Sequence, residues 1–253
     1  MAGHSKWANI KRQKERVDAR KGKTFTQLSR AIIVATKHGL PEPAANFQLR
    51  TAIEKAKAAG IPNENIERAI AKGAGVYENN DTIYEEIRYE GYGSGGVAIL
   101  IEALTDNRNR TAADLRKTFS KNDGNLGEMG CVSWMFDQKG VVILKGEVNE
   151  DSLLEASVEG GADTYQLFEE EMRAEILSEV TNLDILTQTL KEKKINFFDV
   201  ELRWIPKNII EVNDQDQCKL LLKLIDALEI LEDVQNVTTN FKIAEESTKN
   251  NAD

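Results

Sequence analysis

Gly140–Ile205 reads GVVILKGEVNEDSLLEASVEGGADTYQLFEEEMRAEILSEVTNLDILTQTLKEKKINFFDVELRWI, and the order of elements within it decides the fold. Short runs suited to strands occupy Val141–Leu144, Thr164–Phe168, Arg173–Leu177 and Phe198–Trp204. Between them, Asp151–Val158 and Asn182–Lys193 repeat their apolar residues at helical spacing. The sequence strand, helix, strand, strand, helix, strand is the ferredoxin-like split βαβ arrangement.

Working outward, the flanks hold elements of the same kind. Strands are expected at Ile83–Tyr89, Val97–Leu104 and Val132–Phe136, with a helix at Thr111–Lys121. Beyond the central stretch come a strand at Asn208–Val212, a helix at Asp214–Leu231 and a strand at Val234–Phe241. The flanks can together build a second α+β unit, residues 82–131 plus 206–243, interrupted by an inserted domain over 132–205; consecutive packing of two units is the rival arrangement. Toward the N-terminus, Phe25, Leu28, Ile32 and Ala35 recur at helical spacing until His38-Gly39, ahead of Pro41 and Pro43. A second helix spans about Ala45 to Ala59 and stops at Gly60-Ile61-Pro62, and Asn63 is positioned to cap a third over Glu64–Lys72, closed by Gly73 and Gly75. Residues 1–77 therefore read as a basic tail and a three-helix domain, Glu78–Thr82 as a polar linker, and 244–253 as a disordered polar tail. The expected fold class is α+β and multidomain: a helical N-terminal domain with a basic tail, then two ferredoxin-like α+β domains, one inserted in the other.

Charge is distributed unevenly along this chain. The first forty residues hold ten Lys and Arg and two acids, a net +8, whereas all 253 residues sum to −9, so everything after Leu40 carries −17. Such an end-to-end asymmetry suits a nucleic-acid-binding arm on an acidic body. The arm has only Trp7, Ile10 and Val17 as large apolar side chains, and such a segment is expected to stay mobile until it meets a partner. Lys6, Lys11, Arg12, Lys14, Arg20, Lys21 and Lys23 are the expected phosphate contacts, with His4 and Trp7 among them. Trp7 can stack on a base or anchor the tail to the helices, and the second is favoured. Apolar content of 41% and charged content of 30% describe a soluble globular protein. The apolar runs are too short to span a bilayer and the N-terminus lacks an apolar signal region, so a cytoplasmic location with no membrane partner is expected. Cys131 and Cys218 have no ligand or disulfide spacing and read as small apolar residues.

Four further motifs give way to plainer readings. Gly60 between two helices suggests a helix-turn-helix, but Glu64 and Glu67 stand near the second helix's N-terminus, where they suit the helix dipole and repel phosphate; an αα-hairpin is preferred. Gly91-Tyr92-Gly93-Ser94-Gly95-Gly96 formally matches a dinucleotide fingerprint, yet a strand follows it instead of a helix, so it reads as a hairpin loop and no cofactor is expected. Arg108 and Arg110, preceding a helix with Thr111 and Asp114 spaced as a capping box, are candidate phosphate ligands, with a structural turn as the alternative. Gly124–Gly130 reads as a flexible hinge at the domain crossing. His4 and His38 have no nucleophile motif nearby, and the run Glu169-Glu170-Glu171 reads as a solvated face, so neither a catalytic residue nor a metal site is expected.

MAGHSKWANIK at the start, KGKTFTQLSR, AIEKAKAAGIPNENIERAIAKG, YEGYGSGGVAILIEALTDNRNRTAAD and SWMFDQKG together resemble the YebC family almost end to end. The resemblance implies a cytoplasmic protein with a helical N-terminal domain and two α+β domains, acting as a DNA-binding transcriptional regulator. Mitochondrial relatives act as translational activators, and the family is also linked to the ribosome. The expected function is thus that of a non-enzymatic, nucleic-acid-binding regulator of gene expression. Its partner is DNA or ribosomal RNA, with the ribosome itself a possible partner and no small-molecule substrate; an enzyme or an adaptor using the acidic domains is the alternative.

Overall fold

A computed structural model of the chain describes residues 25–76, 84–168 and 171–244. The expected basic arm, the Glu78–Thr82 linker, most of the polar tail and two of the three acids of Glu169–Glu171 lie outside the described residues. The chain forms two units, one from residues up to Met135 together with those from Pro206, the other Phe136–Ile205.

Three helices open the first unit: α1 (Phe25–His38), α2 (Phe47–Ala58) and α3 (Asn63–Gly73). Their apolar stripes meet in one core, to which α1 gives Leu28, Ile32 and Ala35, α2 gives Leu49, Ile53 and Ala56, and α3 gives Ile66 and Ala69. Asn46 ties two of them together. Its side-chain oxygen accepts the Leu49 N–H at 3.0 Å, capping α2, while its Nδ2 donates to the Ala35 and Leu40 carbonyls at 2.7 and 2.9 Å. The turn between α2 and α3 is a Schellman closure: Gly60 has φ +84°, its N–H reaches Lys57 O, and the Ile61 N–H reaches Ala56 O. Asn63 falls inside α3, and Pro62, which has no side chain able to accept, occupies the cap position assigned to Asn63 from sequence.

The same unit contains a sheet of β1 (Glu85–Tyr92), β2 (Ala98–Thr105), β3 (Asn125–Leu126) and β9 (Val234–Thr239), ordered β3-β1-β2-β9. Helices α4 (Arg108–Lys121) and α7 (Gln215–Glu229) share its core, where Ile99, Ile101, Leu115, Phe119, Leu221 and Leu224 are fully buried. β1 and β2 form an antiparallel hairpin pairing Tyr92 with Ala98, and Gly95 and Gly96 turn the loop with φ of +72° and +74°. A parallel pair, β8 (Ile210–Val212) and β10 (Phe241–Ile243), forms a separate two-stranded sheet that gives Val212 and Phe241 to the same core. The sequence reads Val234–Phe241 as one strand, but it breaks at Asn240. That buried side chain accepts the Ala98 N–H at 2.8 Å while its carbonyl accepts from Ile210, handing the chain from one sheet to the other.

The unit Phe136–Ile205 consists of β4 (Phe136–Lys145), α5 (Glu150–Glu159), β5 (Ala162–Phe168), β6 (Arg173–Glu179), α6 (Leu183–Glu192) and β7 (Asp199–Pro206). Strand order is β5-β6-β4-β7, with β6 antiparallel to both neighbours. Its first strand thus lies between the third and the fourth, as in ferredoxin-like folds. The other sheet has a different order, because its first two strands join directly as a hairpin with no helix between them. Sequence reading places one strand at Val132–Phe136 and another at Val141–Leu144, whereas Val132 lies in a bend, Ser133–Met135 form a 3-10 turn and a single strand runs from Phe136 to Lys145. A Cβ on Gly140 would come within 2.7 Å of Leu183 Cδ1, so glycine is present for close packing and not for a turn.

Candidate nucleic-acid interface

Of the sequence-selected contacts, His4, Lys6, Trp7, Lys11, Arg12, Lys14, Arg20, Lys21 and Lys23 lie outside the described residues. Arg108 and Arg110 stand in the first turn of α4. Asn107 caps this helix by accepting the Arg110 N–H at 3.1 Å. The capping box read at Thr111 and Asp114 is therefore corrected: the helix begins three residues earlier, and Thr111 is buried within it. Arg108 is exposed and donates through Nε to Glu85 at 2.7 Å.

Arg110 is held by two carboxylates. Its guanidinium lies 2.8 Å from Asp106 Oδ1 and 2.9 Å from Asp233 Oδ2. Asp233 is a buried hub. Thr111 Oγ1 donates to its Oδ2 at 2.7 Å, Thr105 Oγ1 lies 3.2 Å away, and Arg30 of α1 donates to Oδ1 while reaching Glu232 at 2.8 Å. Gln27, one turn before Arg30, donates to the carbonyls of Leu231 and Val234, both at 3.0 Å. Burial alone would raise the Asp233 pKa, but hydrogen bonds from Thr111, Arg110 and Arg30 outweigh it and hold the carboxyl below its ordinary range. The Arg30 guanidinium, which burial disfavours, is likewise pushed up by Asp233 and its neighbours. The three helices are thus bound to the α+β part of their unit through a charged clasp.

A second buried acid, Glu90, fixes the segment read as a hinge. Its carboxylate accepts backbone N–H groups of Gly130 at 2.8 Å, Val132 at 2.7 Å and Ser133 at 2.8 Å. Burial would raise its pKa, and these donors more than reverse the effect. With Asn125 and Leu126 paired to β1, the flexible-hinge reading of 124–130 is corrected to an anchored loop. Neither acid carried a local sequence signal, since Asp233 meets Arg30 and Thr105 across 203 and 128 residues.

At the start of α3, Glu64 and Glu67 are both exposed, and Arg68 pairs with Glu64 at 2.8 Å. An acidic helix N-terminus with its arginine engaged is a poor reader of base edges. Among the described residues no group of three or more His, Cys, Asp and Glu could hold a metal ion, and no helix is long and apolar enough to cross a membrane.

Residues 5–76 match the model of the TACO1/YebC protein N-terminal domain, and 84–241 match that of the TACO1/YebC second and third domain. This chain belongs to the TACO1/YebC family. It is 79% identical over 248 residues, 97% of either chain, to a protein of Rippkaea orientalis named as a probable transcriptional regulatory protein. A protein of the same name from a Nostoc species is 70% identical over 245 residues, again 97% of each chain. Among solved structures, a conserved hypothetical protein of Aquifex aeolicus superposes with a TM-score of 0.76 at 44% identity, covering 92% of this chain and 95% of its own. The TACO1/YebC assignment agrees with the resemblance read from the sequence motifs.

Proposed function

We propose that this protein is a cytoplasmic, non-enzymatic regulator of gene expression that binds nucleic acid through its basic N-terminal arm. The observation that carries the reading is the charge of residues 1–24, eight Lys and Arg against two acids, on a chain of net −9. Lys and Arg contacts to phosphates release counterions and supply affinity without base preference. The names of the relatives support a regulatory role. Between DNA and ribosomal RNA, the acidic start of α3 favours RNA: a recognition helix needs donors at that position, whereas a basic arm suits a partner recognised by shape. Regulation at promoters is the second reading, and the relatives' printed names favour it.

Lys11, Arg12 and Lys14 contact phosphates in this account. Replacing the three with Glu is expected to weaken binding to an RNA duplex and to lower the slope of log affinity against log salt by about 2 to 3. Binding with unchanged slope would remove the arm from the mechanism.

A further inference from the structure

Helix α4 carries basic residues in both its first and its last turns. Arg108, Arg110, Arg116, Lys117 and Lys121 face one acid, Asp114, giving fourteen residues a net +4 within a chain of net −9. Arg108 and Arg110 are engaged by Glu85, Asp106 and Asp233. Arg116, Lys117 and Lys121 are different: all three are exposed, and their side chains make no hydrogen bond or ion pair among the described residues. We propose that the outer face of α4, through Arg116, Lys117 and Lys121, is a second nucleic-acid contact that holds the phosphate backbone independently of the arm.

Geometry favours a backbone over an acidic protein as the occupant. Thr111, Leu115 and Phe119 bury one side of the helix and turn the cations outward. Lys117 and Lys121 stand one turn apart, about 6 Å along the axis. Around them Asn109, Ala113 and Ser120 are exposed and short, so a phosphate chain can approach the helix closely. The helix itself is fixed by the Asn107 cap, by the Thr111–Asp233 hydrogen bond and by its buried side, so little ordering is needed on binding. A rigid cationic face without base-directed donors positions a duplex and does not read its sequence.

The inference rests on the nucleic-acid reading above but not on the arm. The test compares four full-length proteins on mixed-sequence RNA and DNA duplexes across a salt series: unaltered, the arm variant K11E/R12E/K14E, the helix variant R116Q/K117Q/K121Q, and the two combined. The substituted α4 residues are exposed, so an unchanged melting curve confirms an intact fold. The helix variant is expected to lower the salt slope by about 2 to 3, and the combined variant by the sum of the separate losses. Asp114→Asn, removing the acid from the same helix, should tighten binding. A helix variant with the unaltered slope, beside an arm variant that loses it, overturns the α4 contact and leaves the arm reading standing. Loss in the helix variant alone overturns the arm reading and supports α4. Unchanged slopes in both variants sink both.

Discussion

Asp233 ties three elements together, because one carboxylate serves Arg30 of α1, Thr105 at the end of β2, and Arg110 and Thr111 of α4. Removing one partner of a buried ion pair commonly costs about 3–5 kcal/mol. Here Glu232 still faces Arg30 and Asp106 still faces Arg110, so Asp233→Asn is expected to lose less, about 2–3 kcal/mol in urea unfolding. The pH dependence has a definite sign. The folded carboxyl titrates below its unfolded counterpart, so its stabilisation is complete above an unfolded pKa of roughly 3.9 and disappears as pH falls through the folded value. Unfolding midpoints of Asp233→Asn and the unaltered protein should therefore differ at neutral pH and converge in acid; a constant gap would contradict this assignment. None of this was legible in the sequence, where Glu232-Asp233 looks like any solvated acidic pair, since its partners are contributed by the fold.

At the scale of elements the sequence was far more informative. The stripe Leu28, Ile32, Ala35 marked α1, and the turn residues Gly60-Ile61-Pro62 marked the end of α2, because both signals are local and periodic. Readings failed where glycine, threonine or asparagine served a tertiary contact. Gly140 falls in the gap left between two expected strands and is a packing site within one, Thr111 reads as a cap and is a buried hydroxyl, and Asn240 reads as a strand residue and ends one. Gly73 is a further packing site of this kind. A Cβ there would lie 2.5 Å from the Ile33 carbonyl oxygen and 2.6 Å from Thr36 Cβ, so α3 meets α1 backbone to backbone. Elsewhere in a helix Gly→Ala stabilises, but Gly73→Ala is expected to destabilise by about 1–3 kcal/mol through overpacking. Thermal unfolding followed by circular dichroism measures this, and a raised midpoint would show that the helices can separate without loss.

For the molecule as a whole, charge and element order were legible from sequence because neither depends on long-range contacts. The split βαβ order was read directly from Gly140–Ile205, and the strands of that stretch assemble as β5-β6-β4-β7. Long-range features were not legible: the charged clasp between α1 and the sheet, and the carboxylate of Glu90 that pins the loop before β4. In the proposed function, the electrostatic contrast between a basic start and an acidic remainder is taken as the mark of a partner of high negative charge density, and the acidic N-terminus of α3 as favouring RNA over DNA. Sedimentation of tagged full-length protein through a sucrose gradient, with and without ribonuclease, tests that claim most directly. The protein is expected to travel with the ribosomal fractions and to return to the top of the gradient after ribonuclease treatment. Protein that stays at the top in both gradients while protecting a defined promoter would contradict it.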